Sequence, residues 1–274
     1  MTYERELEAA LGAARLAGQA ILSLYATFQR IADAPAEVTT EADLKSQEII
    51  IDYLRHIFPA DSFCAEETSK TLADLPKGGS RTWVVDPIDG TRGFARKNGE
   101  FSVMVGLLHD LVPVVGVVLE PARDRLTYAA RGAGCFRQDS NELVAVSCRV
   151  TDTSDLGASV LTQSRSHKDG PPSPELRALH PVRTLETYSA GIKLALVARG
   201  EADIYLNTYP AFHDWDVCAG HALVVEAGGK ATLLRGQDLG YGKPDAKQVG
   251  GLIASNGRLH AAALAALASV SSAR

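Results

Sequence analysis

A chain of 274 residues is long enough for one large domain or two packed lobes with a full core, and 46% hydrophobic with 22% charged residues is ordinary soluble globular composition. The net charge of −5 excludes a broad basic surface, and with it nucleic-acid binding by phosphate neutralisation, although metal ions can still bring an anionic substrate to an acidic protein. The cysteines (Cys64, Cys135, Cys148, Cys218) form no CxxC pair, Glu4, Glu6 and Glu8 stand where a secretory leader would be basic, and the longest apolar run, Leu111 to Leu119, is too short for a bilayer, so a cytoplasmic protein with reduced thiols and no transmembrane segment is expected.

Leu7, Leu11, Ala14, Ala17, Ile21 and Leu24 recur at helical spacing and predict a first helix from about Tyr3 to Thr27. Ala42 to Phe58 predict a second, with Leu44, Ile50, Ile51, Leu54 and Phe58 on its buried side and Pro59 ending it. Ser62 to Ala65 and Thr82 to Val85 read as short strands, the latter stopped by Pro87, which cannot donate to a ladder. Phe101 to Leu108 and Val112 to Leu119 flank the hairpin signal His109-Asp110, and Leu126 to Ala130 and Cys135 to Arg137 extend an antiparallel meander. Residues 1–150 are thus expected to form an α+β lobe of two helices on a largely antiparallel sheet. Beyond Thr151 strands (Ser159 to Thr162, Ala202 to Leu206, Gly251 to Ala254) alternate with helices (Glu175 to Leu179, Ser189 to Arg199, Asp214 to Ala227, and a terminal one). Residues 151–274 are expected to form an α/β lobe joined to the first by a packed seam.

The most telling segment is Trp83-Val84-Val85-Asp86-Pro87-Ile88-Asp89-Gly90-Thr91. It presents two carboxylates, the Ile88 carbonyl and the Thr91 hydroxyl where a strand breaks, with Gly90 allowing close approach to the backbone. Such hard oxygen ligands suit Mg²⁺ or Mn²⁺ together with a phosphate, whereas a plain Asx turn would use the same residues structurally. Glu66-Glu67 follow a strand, Asp216 follows Trp215, and Asp43 heads the second helix. Singly, these fit a solvated pair and two helix N-termini. Jointly, carboxylates at the ends of separate elements repel unless cations lie between them.

In this order the residues resemble the signature of the metal-dependent, lithium-sensitive phosphatases of the inositol monophosphatase and fructose bisphosphatase superfamily: D, EE, DP(I/L)DGT, then WD with eleven residues before GG. Here these are Asp43, Glu66-Glu67, Asp86 to Thr91, and Trp215-Asp216 followed by Val217 to Ala227 and Gly228-Gly229. The resemblance implies a layered αβαβα sandwich with the site in a cleft between lobes. It implies two or three Mg²⁺ ions on Glu66, Asp86, the Ile88 carbonyl, Asp89 and Asp216, with Asp86 bridging. It also implies that Thr91, linked to Asp43, orients and deprotonates a water, with Glu66 in the catalytic set, that the Gly90 and Thr91 amides grip the phosphate, and that Glu67 supports the site.

Lys97-Asn98-Gly99-Glu100-Phe101-Ser102-Val103 resembles the corresponding segment of bacterial 3'(2'),5'-bisphosphate nucleotidases, as does Ser164-Arg165-Ser166-His167. By that resemblance Ser166 and His167 lie near an adenosine, Lys193 meets a second phosphate, and Asp216 also touches substrate. Gly191 departs from the nucleotidase pattern, which has a serine there, and His213-Asp214-Trp215-Asp216 is closer to the inositol monophosphatase form. The expected activity is Mg²⁺-dependent removal of the 3'-phosphate of adenosine 3',5'-bisphosphate, in a link to sulfur metabolism. The alternatives are an inositol monophosphatase or broader sugar-phosphate phosphatase, and a catalytically silent binder. A monomer and a homodimer are equally compatible with the sequence.

Overall fold

The structure, a computed structural model, describes residues 2–35, 38–165 and 171–271. Along the chain lie α1 (Glu4–Thr27), α2 (Glu41–Ile57), β1 (Ser62–Ala65), α3 (Lys70–Ala73), β2 (Arg81–Asp89), α4 (Thr91–Ala95), β3 (Ser102–His109), β4 (Val112–Glu120), β5 (Arg125–Ala130), β6 (Gly134–Asp139) and β7 (Val146–Cys148). They are followed by β8 (Val160–Ser164), α5 (Pro174–Leu179), β9 (Arg183–Thr187), α6 (Ala190–Ala198), β10 (Ile204–Asn207), β11 (Ala211–His213), α7 (Cys218–Glu226), β12 (Lys230–Thr232), β13 (Lys247–Val249), β14 (Leu252–Ser255) and α8 (His260–Ser271). Strands β1 to β7 form one sheet in chain order, parallel between β1 and β2 and antiparallel thereafter. A second sheet runs β12-β14-β10-β8-β9, and β11 pairs with β13 apart from it.

The apolar faces dictate the layering. Helix α1 buries Ala10, Ala13, Ala14, Ala17 and Ile21 together with Ile50, Ile51 and Leu54 of α2 against Trp83, Val85, Val103, Val105 and Val117 of the first sheet. The opposite face of that sheet packs on α6 and α7 through Met104, Val118, Ala129, Leu194, Ala219 and Leu223. The far side of this helical layer meets the second sheet, whose outer face is covered by α5 and α8 through Leu161, Leu179, Ile204, Ile253, Leu259 and Ala263. The result is the expected layered αβαβα sandwich.

Close approach of α7 to the first sheet depends on glycine in β4. A Cβ at Gly116 would run into the Ala219 carbonyl oxygen and lie 2.9 Å from the Ala222 Cβ. Gly116→Ala is therefore expected to lower unfolding stability by roughly 2–3 kcal/mol in urea titration, because backbone and not a yielding side chain must move. A loss under about 0.5 kcal/mol contradicts that packing.

Three expectations need correction. Strand β2 does not stop at Pro87 but continues to Asp89, because its pairing jumps from Asp86↔Met104 to Asp89↔Ser102. The one-residue bulge places Pro87 where no ladder N–H is needed. Leu44 is 43% exposed, since the buried face of α2 follows Ala42, Asp43, Ser46, Gln47, Ile50 and Ile51, and Leu44 falls off that stripe. The helix expected from Asp214 begins at Cys218, with residues 214–217 forming a turn in which the Cys218 N–H donates to the Asp214 carbonyl at 2.9 Å.

Candidate active site

The bulge in β2 has a direct consequence for chemistry. Residues three apart on a regular strand face opposite ways, but Met104 and Ser102, the partners of Asp86 and Asp89, share a face. The extra residue therefore turns both aspartates to the same side. They meet in a cleft of about 470 Å³ that is also lined by Glu66 after β1, Ile88, Gly90, Thr91 opening α4, Lys193 of α6 and Asp216 before α7. Ser166 and His167 lie outside the described residues.

Asp43 stands behind the cleft. The Thr40 N–H and Oγ1 donate to its Oδ2 at 2.8 and 2.6 Å, capping α2, which leaves Oδ1 to accept from Thr91 Oγ1 at 3.0 Å. Thr91 Oγ1 is also 2.9 Å from the Ile88 carbonyl oxygen, so its single proton has two acceptors. Gly90 precedes Thr91 with φ 84°, and a Cβ there would sit 2.8 Å from the Glu100 carbonyl oxygen and 3.0 Å from the Ser189 nitrogen. No larger residue fits. Helix α2 further fixes both acidic loops: Ser46 Oγ donates to the Pro87 carbonyl at 2.9 Å, and the Gln47 amide exchanges hydrogen bonds with the Glu67 backbone at 2.6 and 2.9 Å. The Glu67 side chain accepts from Thr39 Oγ1.

The Asp89 carboxylate accepts from the backbone N–H of Ala190 at 3.0 Å and of Gly191 at 2.6 Å, from Ser102 Oγ at 3.2 Å, and from Ser189 Oγ. It thereby ties β2 to the start of α6. Gly191 does not face the cleft: a Cβ there would lie 2.7 Å from Ser102 Oγ and 2.8 Å from Met104 Sδ, so a serine at this position would point into β3. Lys193 is no solvated helix residue. It is 1% exposed, and Nζ donates to Ser164 Oγ at 3.2 Å and to the Thr187 and Tyr188 carbonyls at 3.1 and 3.2 Å, over the Tyr205 ring. Burial lowers its pKa to about 8, against the opposing pull of Asp89, Glu100 and Asp216.

Burial and mutual repulsion hold protons on the acidic group. Glu66 is pushed up to about 8, by burial first and then by the charges of Asp216, Glu67 and Asp43. Asp216 rises to about 7 through burial, despite the His213 N–H donated to it at 2.5 Å. Asp43 rises to about 6, again through burial, with its hydrogen bonds from Thr40 and Thr91 opposing. Asp86 is raised well above its ordinary range, by burial first and then by the charges of Glu66, Asp89 and Asp216. Its Oδ1 is buried without a hydrogen-bond partner. With Asp89 turned to α6 and Asp216 to the His213 amide, no three ligating side chains among the described residues are drawn to one point. The donor set nevertheless fits a hard divalent cation: it is all oxygen, from carboxylates and the Ile88 carbonyl, and it includes an orphaned buried oxygen.

The sandwich with an acidic cleft between its sheets is a fold of the layered αβαβα class. The inositol monophosphatase family profile matches residues 2–272, and the chain belongs to that family. It is 32% identical to the 3'(2'),5'-bisphosphate nucleotidase CysQ of Salmonella typhimurium, over 86% of this chain and 93% of that protein. It is 31% identical to inositol monophosphatase 1 of Solanum lycopersicum, over 83% and 84% of the two chains. Among solved structures, an inositol monophosphatase from Anabaena superposes with a TM-score of 0.79 at 30% identity, covering 97% of this chain and 96% of that one.

The sequence does not single out Ser46, Gln47, Ser189 or the hydroxyl of Ser102 as positioning groups. Only Ser189 carries a local signal, as a serine capping a helix.

Proposed function

We propose that this protein is a Mg²⁺-dependent phosphomonoesterase that removes the 3'-phosphate of adenosine 3',5'-bisphosphate, giving AMP and phosphate. The observation that carries this reading is the second half of the cleft. Beyond the carboxylates it is lined by Arg92, Arg165 and Lys193 and by Tyr188, Tyr205, Tyr209 and Trp215. Cationic and aromatic groups suit a substrate with a second phosphate and a flat base. Similarity to CysQ supports it.

In this reading Glu66, Asp86, the Ile88 carbonyl, Asp89 and Asp216 would hold two or three Mg²⁺ ions, with Mn²⁺ also compatible. When bound, the ions neutralise phosphate charge and acidify a water. Thr91 Oγ1 orients that water and takes its proton as its own passes to Asp43 Oδ1, an acceptor tuned by burial to about 6. The Gly90 and Thr91 amides meet the phosphate, Asp216 meets a substrate hydroxyl, and Ser166 and His167 meet the adenosine. Lys193 supplies charge to the second phosphate from behind, since its protons are committed to Ser164, Thr187 and Tyr188. The cleft draws on residues before and after position 150, consistent with two lobes, 1–150 and 151–274, closing on a small ester. No helix among the described residues is long and apolar enough to cross a membrane, and a cytoplasmic monomer or homodimer completes the proposal.

Thr91→Ala is expected to lower kcat about 10²- to 10³-fold with little change in melting temperature, read by phosphate release and thermal denaturation. A loss under about fivefold removes Thr91 from the proton path. The second reading, an inositol monophosphatase, is favoured by the committed protons of Lys193 and by the plant and Anabaena relatives. Phosphate release from adenosine 3',5'-bisphosphate and from inositol 1-phosphate, each with Mg²⁺, separates them. A higher kcat/KM on the inositol ester overturns the nucleotidase assignment.

A further inference from the structure

Cys135 of β6 and Cys148 of β7 stand directly opposite each other in the antiparallel ladder. Opposed residues share a face with Cβ atoms about 4.5–5.5 Å apart, which a small local adjustment brings to disulfide spacing. Both side chains are buried, at 1% and 7% exposure, against the α6–α7 layer, and Cys148 Sγ donates to the Val146 carbonyl at 3.8 Å. The other two cysteines lack this relation: Cys64 lies in β1 and Cys218 opens α7. Strand β7 is a sheet edge three residues long, with its own Val146 and the preceding Leu143 and Val144 exposed. Such a strand frays easily and gives a reagent access to Cys148.

We propose that Cys135 and Cys148 form a redox-modification site, closing to a disulfide that staples β7 to β6 by exchange with a low-molecular-weight disulfide. Cys148 is the attacking sulfur. It lies on the edge strand and is the more exposed of the pair, and the Cys135 thiol beside it and the guanidiniums of Arg199 and Arg137 favour its thiolate. The Cys148 thiolate attacks one sulfur of the reagent, forming a mixed disulfide and releasing one reagent thiolate, which takes up the Cys148 proton. The Cys135 sulfur then attacks Cys148 Sγ, its proton leaving with the second reagent thiol. Two protein thiols are oxidised and one reagent disulfide is reduced to two thiols. No residue of β6 or β7 lines the cleft, so the staple acts on stability and leaves turnover unchanged.

The test is incubation of the full chain with oxidised or reduced glutathione, then alkylation, digestion and peptide mass spectrometry, with thermal denaturation in parallel. The expected result is a Cys135–Cys148 cross-linked peptide with Cys64 and Cys218 alkylated, and a melting temperature roughly 5 °C higher, reversed by reductant and absent in Cys148→Ser. Recovery of both cysteines alkylated, or each carrying glutathione, overturns the pairing. A cross-link without the rise in melting temperature overturns the stapling. If Cys148→Ser does not fold, the peptide map and the reductant reversal decide between the same outcomes.

Discussion

Asp86→Asn is expected to lower kcat by about 10³-fold or more and, at the same time, to raise the melting temperature of the metal-free protein at pH 8. Both effects have one cause. Asp86 is 2% exposed, one of its oxygens has no partner, and Glu66, Asp89 and Asp216 press on it. An amide of the same shape is neutral without having to take up a proton at pH 8 and can donate to Glu66, which stabilises the fold. The same exchange removes a carboxylate that would hold the ions. Asp89→Asn is expected to lose activity equally but to lose stability too, by about 2 kcal/mol, because its carboxylate already accepts two N–H groups and two hydroxyls. Denaturation in chelator beside a phosphate-release assay reads both variants. A metal-free Asp86→Asn protein that melts below wild type would show that Asp86 is not under electrostatic strain.

The second large effect is on pH dependence. Glu66, Asp216 and Asp43 stand at about 8, 7 and 6 in the folded protein, all above their ordinary values. A carboxyl whose folded pKa is raised binds its proton more tightly in the folded state than in the unfolded chain. Its contribution to stability is complete below about pH 4 and lost as pH rises through the folded value. The melting temperature of the metal-free protein is therefore expected to fall by several degrees between about pH 5 and pH 8.5. Mg²⁺ is expected to restore it, with a larger increment at pH 8.5 than at pH 6, because protons compete with the ion for the same oxygens. Thermal melts with chelator and with Mg²⁺ across this range provide the check. An increment independent of pH contradicts competition at these carboxyls.

Long elements with strong periodicity were readable from the sequence: α1, α2 and the β3–β4 hairpin lie within a residue or so of expectation. Strands β7, β9, β11, β12 and β13 span three to five residues with mixed polarity, too short for alternation to show, and are fixed by neighbours distant in sequence. At the cleft, Glu66, Asp86, Asp89 and Asp216, with Asp43 behind them, stand out in the sequence only jointly, since each alone fits a solvated pair, a turn or a helix N-terminus. The bulge at Pro87 was not, since a proline that cannot pair and a proline placed where no pairing is needed look alike in sequence. Nor was the direction of Gly191, which depends on the packing of α6 against Met104, or the burial of Lys193.

The most direct measurement is calorimetric titration of the chelator-treated protein with Mg²⁺ at pH 8, repeated in buffers of different ionisation enthalpy. Saturable binding accompanied by proton release, and weakened at least about tenfold in Asp86→Asn, is expected if the buried carboxyls gather around divalent ions. Absence of saturable binding of Mg²⁺ and of Mn²⁺ by the wild-type chain contradicts it.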